Sequence, residues 1–405
     1  MRRVAVESSL AWLLQPLAVQ DFLDKIWGAT HYHVKRGCAG YFDSLLNGPS
    51  AVEELLECFQ REPSAAVRLV RGNDKKGPDT YRLADGSLNL VRVRDDFADG
   101  YTIVLDNIER YVRAVGSLSH SIEVELNFPT QVNAYVTPPE SRGFVPHYDE
   151  HDVLILQVQG SKIWHVYDDV DVPPHEMERH EAVDTAGLPL PTDLRLEAGD
   201  VLYLPRGRVH GAETTSESSL HLTVGIHAPT VLTLTIRALH SLSFTDDRVH
   251  TRLPPRYLDD ADVRVSLQAP VRDVVRTLED PGVIAESLGA LEDALVRRGR
   301  CPPVGQISNA VGIDGQTLVV KYQPLYSRVT APKGGDAAAG GVALQFAQLS
   351  IRADANHEAA MLFLSRNTAP FRVRDLPGLT AAQQTELART LIVSGFLVRL
   401  PDDSV

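Results

Sequence analysis

The sequence predicts a mainly β core with helical additions: an antiparallel barrel or double-sheet jelly roll, entered through helices and followed by more helices. Two observations carry this. Past about residue 130 the hydrophobic period is two: "TQVNAYVTP" and "SKIWHVYD" alternate, "HDVLILQVQ" is nearly continuous and apolar, and "DVLYLP" and "SLHLTVGIH" follow. Each run is bounded by Gly, Pro, Asp or Ser with no helical pattern between them, as in short strands that close on one another. On both sides of this region the period returns to that of helices.

From residue 10 to about 70 the pattern is helical, with "DFLDKIWG" and "VEELLECFQ" placing apolar residues three and four apart. Residues 101–119 hold a helix candidate, "NIERYVRAVGSL", with Ile108, Tyr111, Val112 and Val115 on one face. The Pro-rich, acidic residues 168–193 read as a long loop between two strands. After residue 229, "VRDVVRTL" aligns Val271, Val274, Val275 and Leu278, and "VIAESLGALEDALVRR" aligns Ile284, Leu288, Leu291 and Leu295. Such amphipathic helices either cover the barrel or pair with a second copy of the chain. Two strand candidates, "TLVVKYQPLYSRV" and "VALQFAQLSIR", flank the hairpin loop "APKGGDAAAGG". The last fifty residues suggest helix, helix, strand, a winged-helix-like order. The changes of period divide the chain into residues 1–228, with the barrel core at about 100–228, then 229–305 and 306–405.

Composition narrows the functional classes. A chain of 405 residues exceeds one ordinary core, and 43% hydrophobic with 23% charged residues reads as a soluble globular protein. A net charge of −13 argues against nucleic acid or anionic membrane as partner and for a protein or small molecule. Cys38, Cys58 and Cys301 are far apart, so neither a disulfide framework nor a thiolate zinc site is expected, and a reducing cytoplasm fits. No apolar run reaches the length of a membrane span, and Glu7, Ser8 and Ser9 interrupt the apolar N-terminus. From Asn356 to Val405 five Arg and Lys balance five Asp and Glu, so the C-terminal segment lacks the basic face of a groove-reading domain.

The stretch "VPHYDEHDVLILQ" carries the chemistry. In a strand, His147 and Asp149 share a face, and His210 in "EAGDVLYLPRGRVHGAE" is the best third ligand. Two histidines and one carboxylate leave three positions open on an octahedral ion, as a non-haem iron(II) oxygenase requires. On its own the His-x-Asp pair is as readily a surface turn, with His210 capping a strand. Lys162, fifteen residues after His147, is expected in the strand pairing back across the Gly160–Ser161 turn. There its cation suits the far carboxylate of a dicarboxylic acid, or it is simply a solvated strand lysine.

"PHYDEHDVLILQVQGSKIWHVYD", "LEAGDVLYLPRGRVHGAE" and "SLHLTVGIH" resemble the Jumonji C (JmjC) domain of the cupin-type ribosomal oxygenases. The resemblance is strong over roughly residues 10–228, including "DFLDKIWGATHYHVKRGCAGYFDSLL", and weaker in the tail. It implies a double-stranded β-helix followed by a helical dimerisation domain and a winged-helix-like C-terminal domain. It implies a homodimeric iron(II)- and 2-oxoglutarate-dependent dioxygenase that uses O2 to hydroxylate a protein side chain. His147, Asp149 and His210 match the iron ligands, and Lys162 matches the lysine that pairs with the distal carboxylate of 2-oxoglutarate. Asn133, Tyr135 and Thr223 match residues lining the co-substrate pocket, although strand amides and hydroxyls also serve to satisfy backbone groups. His151 matches a position beside the metal, where it orients a ligand or lines the substrate mouth. His221 is expected to be buried and hydrogen-bonded, and His175 and His180 to lie on the surface. Arg142, Tyr148, Glu150 and the 168–193 loop would lie nearer the substrate entrance. The implied target is a protein or peptide, with a ribosomal protein in view; the alternatives are a small molecule or precursor peptide, or a metal-binding cupin that serves only as an interaction module.

Overall fold

The structure, a computed structural model, describes residues 9–46, 48–62, 66–171, 183–301, 311–322, 325–330 and 341–401. Two units divide the chain, Met1–Ala228 and Pro229–Val405. In the first, helices α1 (Leu10–Leu14), α2 (Val19–Lys25), α3 (Ala51–Gln60), α4 (Leu90–Ala98) and α5 (Arg113–Leu126) alternate with short strands. Those strands are β1 (Tyr32–Val34), β2 (Val67–Arg71), β3 (Asp74–Lys75) and β4 (Thr102–Leu105). The strands β5 (Thr130–Thr137), β6 (Asp152–Gln159), β7 (Ser161–Asp171), β8 (Thr192–Glu197), β9 (Val201–Leu204), β10 (Arg208–Glu213) and β11 (Ser219–Ile226) then follow in succession.

They form two antiparallel sheets, one ordered β1-β9-β6-β11-β5-β4-β2-β3 and one ordered β10-β7-β8. In β5 and β11 one face is apolar: Val132, Ala134, Leu220, Leu222 and Val224 are buried in a core shared with Leu13, Phe22, Leu55 and Leu118 of the helices. The other face carries Asn133, Tyr135, His221 and Thr223. The run in β6 does not alternate because both faces are buried. Leu154 and Leu156 join the helical core, while Val153 and Ile155 meet Trp164, Val166 and Leu196 of the smaller sheet.

Several expectations need correction. The lead-in is not helical throughout, since β1 pairs with β9 and β2 with β4, extending the large sheet. The candidate "NIERYVRAVGSL" is helical only in part: Asn107 is left-handed (φ 60°), Ile108–Arg110 form a 3-10 turn, and α5 starts only at Arg113. Ile108 and Val115 still reach the core that the pattern assigned them. Residues 168–171 and 192–193 belong to strands β7 and β8 rather than to a loop, and 172–182, with His175 and His180, lie outside the described residues.

Strand β7 does not pair back onto β6. It pairs with β10 and β8, so Gly160 is a corner at which the chain passes between sheets. Gly160 has φ +63°, and a Cβ there would lie 1.9 Å from the Ser218 carbonyl oxygen.

In the second unit, α6 (Val231–Leu242), α7 (Ala261–Ser266), α8 (Gln268–Leu278) and α9 (Pro281–Arg298) precede β12 (Leu318–Lys321), β13 (Ser327–Thr330), β14 (Gly341–Phe346) and β15 (Leu349–Asp354). Then come α10 (Glu358–Arg366), β16 (Phe371–Arg372), α11 (Ala381–Val393) and β17 (Leu397–Arg399). "VALQFAQLSIR" is two strands, because Ala347 and Gln348 both take positive φ and turn β14 back onto β15. The loop expected in "APKGGDAAAGG" falls, but for Gly341, outside the described residues. Among the described residues no helix is long and apolar enough to cross a membrane.

Because the Gly160 corner tolerates neither a Cβ nor an ordinary φ, Gly160→Ala is expected to lower the unfolding free energy by about 2 kcal/mol or more. Urea denaturation followed by tryptophan fluorescence measures this, and an unchanged midpoint would contradict it.

Candidate metal centre

His147 and Asp149 are not in a regular strand. They sit in the irregular segment leading into β6, and His147 makes a single antiparallel bridge to His210 of β10. The His147 N–H donates to the His210 carbonyl at 2.9 Å and the His210 N–H to the His147 carbonyl at 2.8 Å. Two residues on, the Asp149 carbonyl accepts the Gly207 N–H at 2.8 Å. Strand parity alone therefore does not aim these side chains; the bridge between the two segments does. The pairing of β10 with β7 also shifts between Arg208 and His210, an irregularity of the kind that re-aims a side chain.

The bridge brings the three residues together, with one donor atom from each lying within 4.8 Å of the others. His210 Nε2 is 3.7 Å from Asp149 Oδ2, and the imidazole centroids of His147 and His210 are 4.5 Å apart. Both Nδ1 atoms are engaged in the same way, His147 on the Val145 carbonyl and His210 on the Arg208 carbonyl, each at 2.9 Å. A carbonyl only accepts, so each Nδ1 carries the proton and each Nε2 keeps its lone pair. Burial, reinforced by His147, pushes the His210 imidazole well below its ordinary range, which keeps it neutral. Two neutral imidazole nitrogens and a carboxylate oxygen fit a divalent first-row metal.

The surrounding contacts hold this geometry. Arg208 is buried and donates to the Asp168 carbonyl at 2.8 Å and to its carboxylate at 3.0 Å. Asp168 also meets His31 Nδ1 at 2.6 Å and accepts from Thr192 at 2.7 Å. On the other side, buried Asp152 accepts from Tyr203 at 2.6 Å, and the Tyr203 oxygen accepts from the Gly28 N–H at 2.8 Å. Burial pushes the Asp152 carboxyl up.

The triad opens on a cavity of about 650 Å3. Lys162, Asn133, Tyr135 and Thr223 all line it, so the structure brings the candidate ligands and these four residues to one place. Lys162 is buried rather than solvated; it donates to Thr137 Oγ1 at 3.0 Å, and burial pushes its ammonium down to about 7. Burial pushes the Tyr135 phenol up to about 12, partly offset by the nearby Arg68 cation. Asn133 has a structural task as well, since its Oδ1 accepts from the Asn107 N–H at 3.0 Å and from Gln131 at 3.2 Å.

Other side chains sort differently. His151 lines the cavity beside His227, their ring centroids 4.4 Å apart. His221 is buried as expected, but its Nδ1 has no hydrogen-bond partner. Tyr148 lines the cavity; Arg142 is instead paired with Glu213 at 2.5 Å. Sequence reading missed Arg68, which lines the cavity and grips Asp106 through two hydrogen bonds of 2.8 and 2.6 Å. The alternation in "VRLVR" before the Gly72-Asn73 turn is the signal that marks its strand.

Known proteins resemble this chain in sequence and in fold. Residues 115–234 match the family model described as the JmjC domain. A "Bifunctional lysine-specific demethylase and histidyl-hydroxylase NO66" from Drosophila mojavensis is 31% identical over 226 residues, covering 54% of this chain and 24% of the relative. Its counterpart from Dictyostelium discoideum is 30% identical over 237 residues, covering 56% of this chain and 44% of the relative. The chain thus spans less than half the length of these relatives. Among solved structures, E. coli YcfD superposes with a TM-score of 0.58 at 18% identity, covering 95% of this chain and 98% of that one. A YcfD structure titled as a ribosomal oxygenase in complex with cobalt and succinic acid gives 0.56 at 20% identity, covering 95% and 99%. The fold is therefore shared along nearly the whole chain, and residues 115–234 carry the likeness to the JmjC domain.

Proposed function

We propose that this chain is an iron(II)- and 2-oxoglutarate-dependent dioxygenase that hydroxylates an amino-acid side chain of a protein or peptide, a ribosomal protein being the leading target. The observation that carries the reading is the convergence of His147, Asp149 and His210 on a cavity that also buries Lys162. In this reading His147, Asp149 and His210 hold the iron and leave positions for a bidentate co-substrate and for oxygen. Lys162 meets the distal carboxylate of 2-oxoglutarate, and Asn133, Tyr135 and Thr223 border the same pocket. The bound iron and co-substrate supply oxidative decarboxylation of 2-oxoglutarate to succinate and carbon dioxide, coupled to insertion of one oxygen into a substrate C–H bond. The protein's own part is to fix the imidazole tautomers, to bury the anchoring cation and to keep the floor of the cavity dry.

A YcfD structure titled with 2-oxoglutarate and the histidyl-hydroxylase name of the curated relatives support this chemistry and a polypeptide target. The net charge of −13 suits a basic partner, and the three scattered cysteines suit the cytoplasm. A cavity of about 650 Å3 also accommodates a small molecule, which keeps a small-molecule or precursor-peptide hydroxylase as the competing reading. Residues 229–305 are read as a dimerisation segment and 306–405 as a winged-helix-like domain with a structural or partner-binding role. Support for a homodimer comes from apolar residues left exposed on α6 and α8, among them Val231, Ile236, Val271 and Val275.

Incubation with iron(II), ascorbate, 2-oxoglutarate and host lysate should yield succinate and a peptide heavier by one oxygen in mass spectrometry, and Asp149→Ala should abolish both. Oxygen gain confined to metabolites would select the small-molecule reading, and no succinate the non-catalytic one. Sedimentation equilibrium at micromolar concentration should show a dimer; a monomer would remove that part of the proposal. Metal-free protein should show a pH signature of Lys162. With the folded value near 7 and the ordinary value 10.5, the unfolded chain binds the extra proton between them. Stability should therefore rise from about pH 7 to 10 and be lost as pH falls toward 7. Lys162→Met should flatten that rise in denaturation curves, and an unchanged slope would contradict it.

A further inference from the structure

The mouth of the cavity differs in charge from the chain as a whole. Among the described residues that line the cavity, Asn73 and Lys75 alone are exposed, so the β2–β3 hairpin that carries them marks the mouth. Lys75 stands opposite Val70, and Val70 opposite Thr102, which lines the same cavity, so the three share the face turned inward. The hairpin is latched in place, because the Gly72 N–H donates to the Gly143 carbonyl at 2.9 Å, on the segment that leads to His147 and Asp149.

The cations around Lys75 are engaged elsewhere. Arg71 lies over the Tyr101 ring at 4.6 Å and donates to the Asp99 carbonyl at 2.8 Å, and Lys76 pairs with Asp96 at 3.1 Å. Arg68 is held by Asp106. Among the described residues Lys75 forms no ion pair and the Asn73 side chain no hydrogen bond. Asp149 is the one carboxylate of the described lining, and the metal reading already uses it. A free ammonium at the rim with no free carboxylate behind it repels a cationic side chain and attracts an anionic one. The −13 of the whole chain acts at longer range and still favours a partner that is basic overall; at the mouth the sign is reversed.

We propose that Lys75 reads the polypeptide substrate at the mouth: its ammonium pairs with an Asp or Glu carboxylate close in sequence to the side chain that enters, while Asn73 offers its amide to the peptide backbone. The assignment rests on the oxygenase reading above. It makes Lys75 a specificity residue, and the preferred segment locally acidic even within a basic protein.

A library of random twelve-residue peptides, incubated with iron(II), ascorbate and 2-oxoglutarate, tests this when mass spectrometry identifies the peptides that gain one oxygen. Wild-type protein should oxidise peptides in which Asp and Glu outnumber Lys and Arg beside the oxidised residue. Lys75→Glu should lower that acidic-to-basic ratio by about tenfold, the change from an attractive to a repulsive exposed pair, and Lys75→Gln should give an intermediate ratio. A residue that only shaped the hairpin would not order the three proteins by charge. Fluorescence anisotropy of the most oxidised peptide on the manganese(II)-loaded proteins should give the same order of affinity without turnover. No acidic excess in wild type, a ratio or affinity equal in all three proteins, or succinate formed with no peptide oxidised would each overturn the assignment. Wild-type protein that forms no succinate at all would instead overturn the oxygenase reading, and the inference with it.

Discussion

Two backbone hydrogen bonds between His147 and His210 are the constraint on which the centre depends. They join an irregular segment to a strand of the smaller sheet, and so set the distance between residues 63 positions apart in the chain. Once the backbones are tied, the Val145 and Arg208 carbonyls fix the tautomer of each ring from the residue two positions before it. Nothing in this arrangement needs the side chains to find one another. The Arg208–Asp168–His31 cluster and the Asp152–Tyr203 bond then hold the two tied segments against the sheets.

The second constraint is electrostatic. The face of β5 and β11 turned to the cavity is polar while the opposite face is packed with helix side chains, so polar groups are buried here at a cost that the fold does not itself offset. Lys162 shows the cost most clearly, because burial alone destabilises its charge. An anionic co-substrate bound beside Lys162 would reverse the sign of that interaction. Binding energy in such a site comes from relieving groups already held in place rather than from ordering new ones.

Much of the first unit was legible in the sequence, and the reasons are physical. "TQVNAYVTP" and "SLHLTVGIH" alternate because each separates an oily layer from a polar cavity, so the same letters that predict a strand also point at the lining residues. The strands β1, β2 and β4 were harder to see. They are short, they border helices, and the positive φ of Asn107 that separates β4 from α5 leaves no mark in hydrophobic periodicity. His147 and Asp149 were found by a parity rule that does not describe them, since isolated bridges rather than a strand hold that segment. The Gly160 corner looked like a hairpin turn because sequence reports the bend and not which sheet receives the next strand. Arg68 reaches the cavity from β2, two strands along the large sheet from β5, a contact that no local pattern encodes.

The central claim is that two imidazoles and one carboxylate hold a metal with room left for a chelating 2-oxo acid. Visible absorption of the protein with iron(II) and 2-oxoglutarate under strictly anaerobic conditions tests it most directly. A weak metal-to-ligand charge-transfer band that titrates with 2-oxoglutarate and is missing in Asp149→Ala is the expected result. No band at saturating iron(II) and 2-oxoglutarate, or a band unchanged in Asp149→Ala, would contradict it.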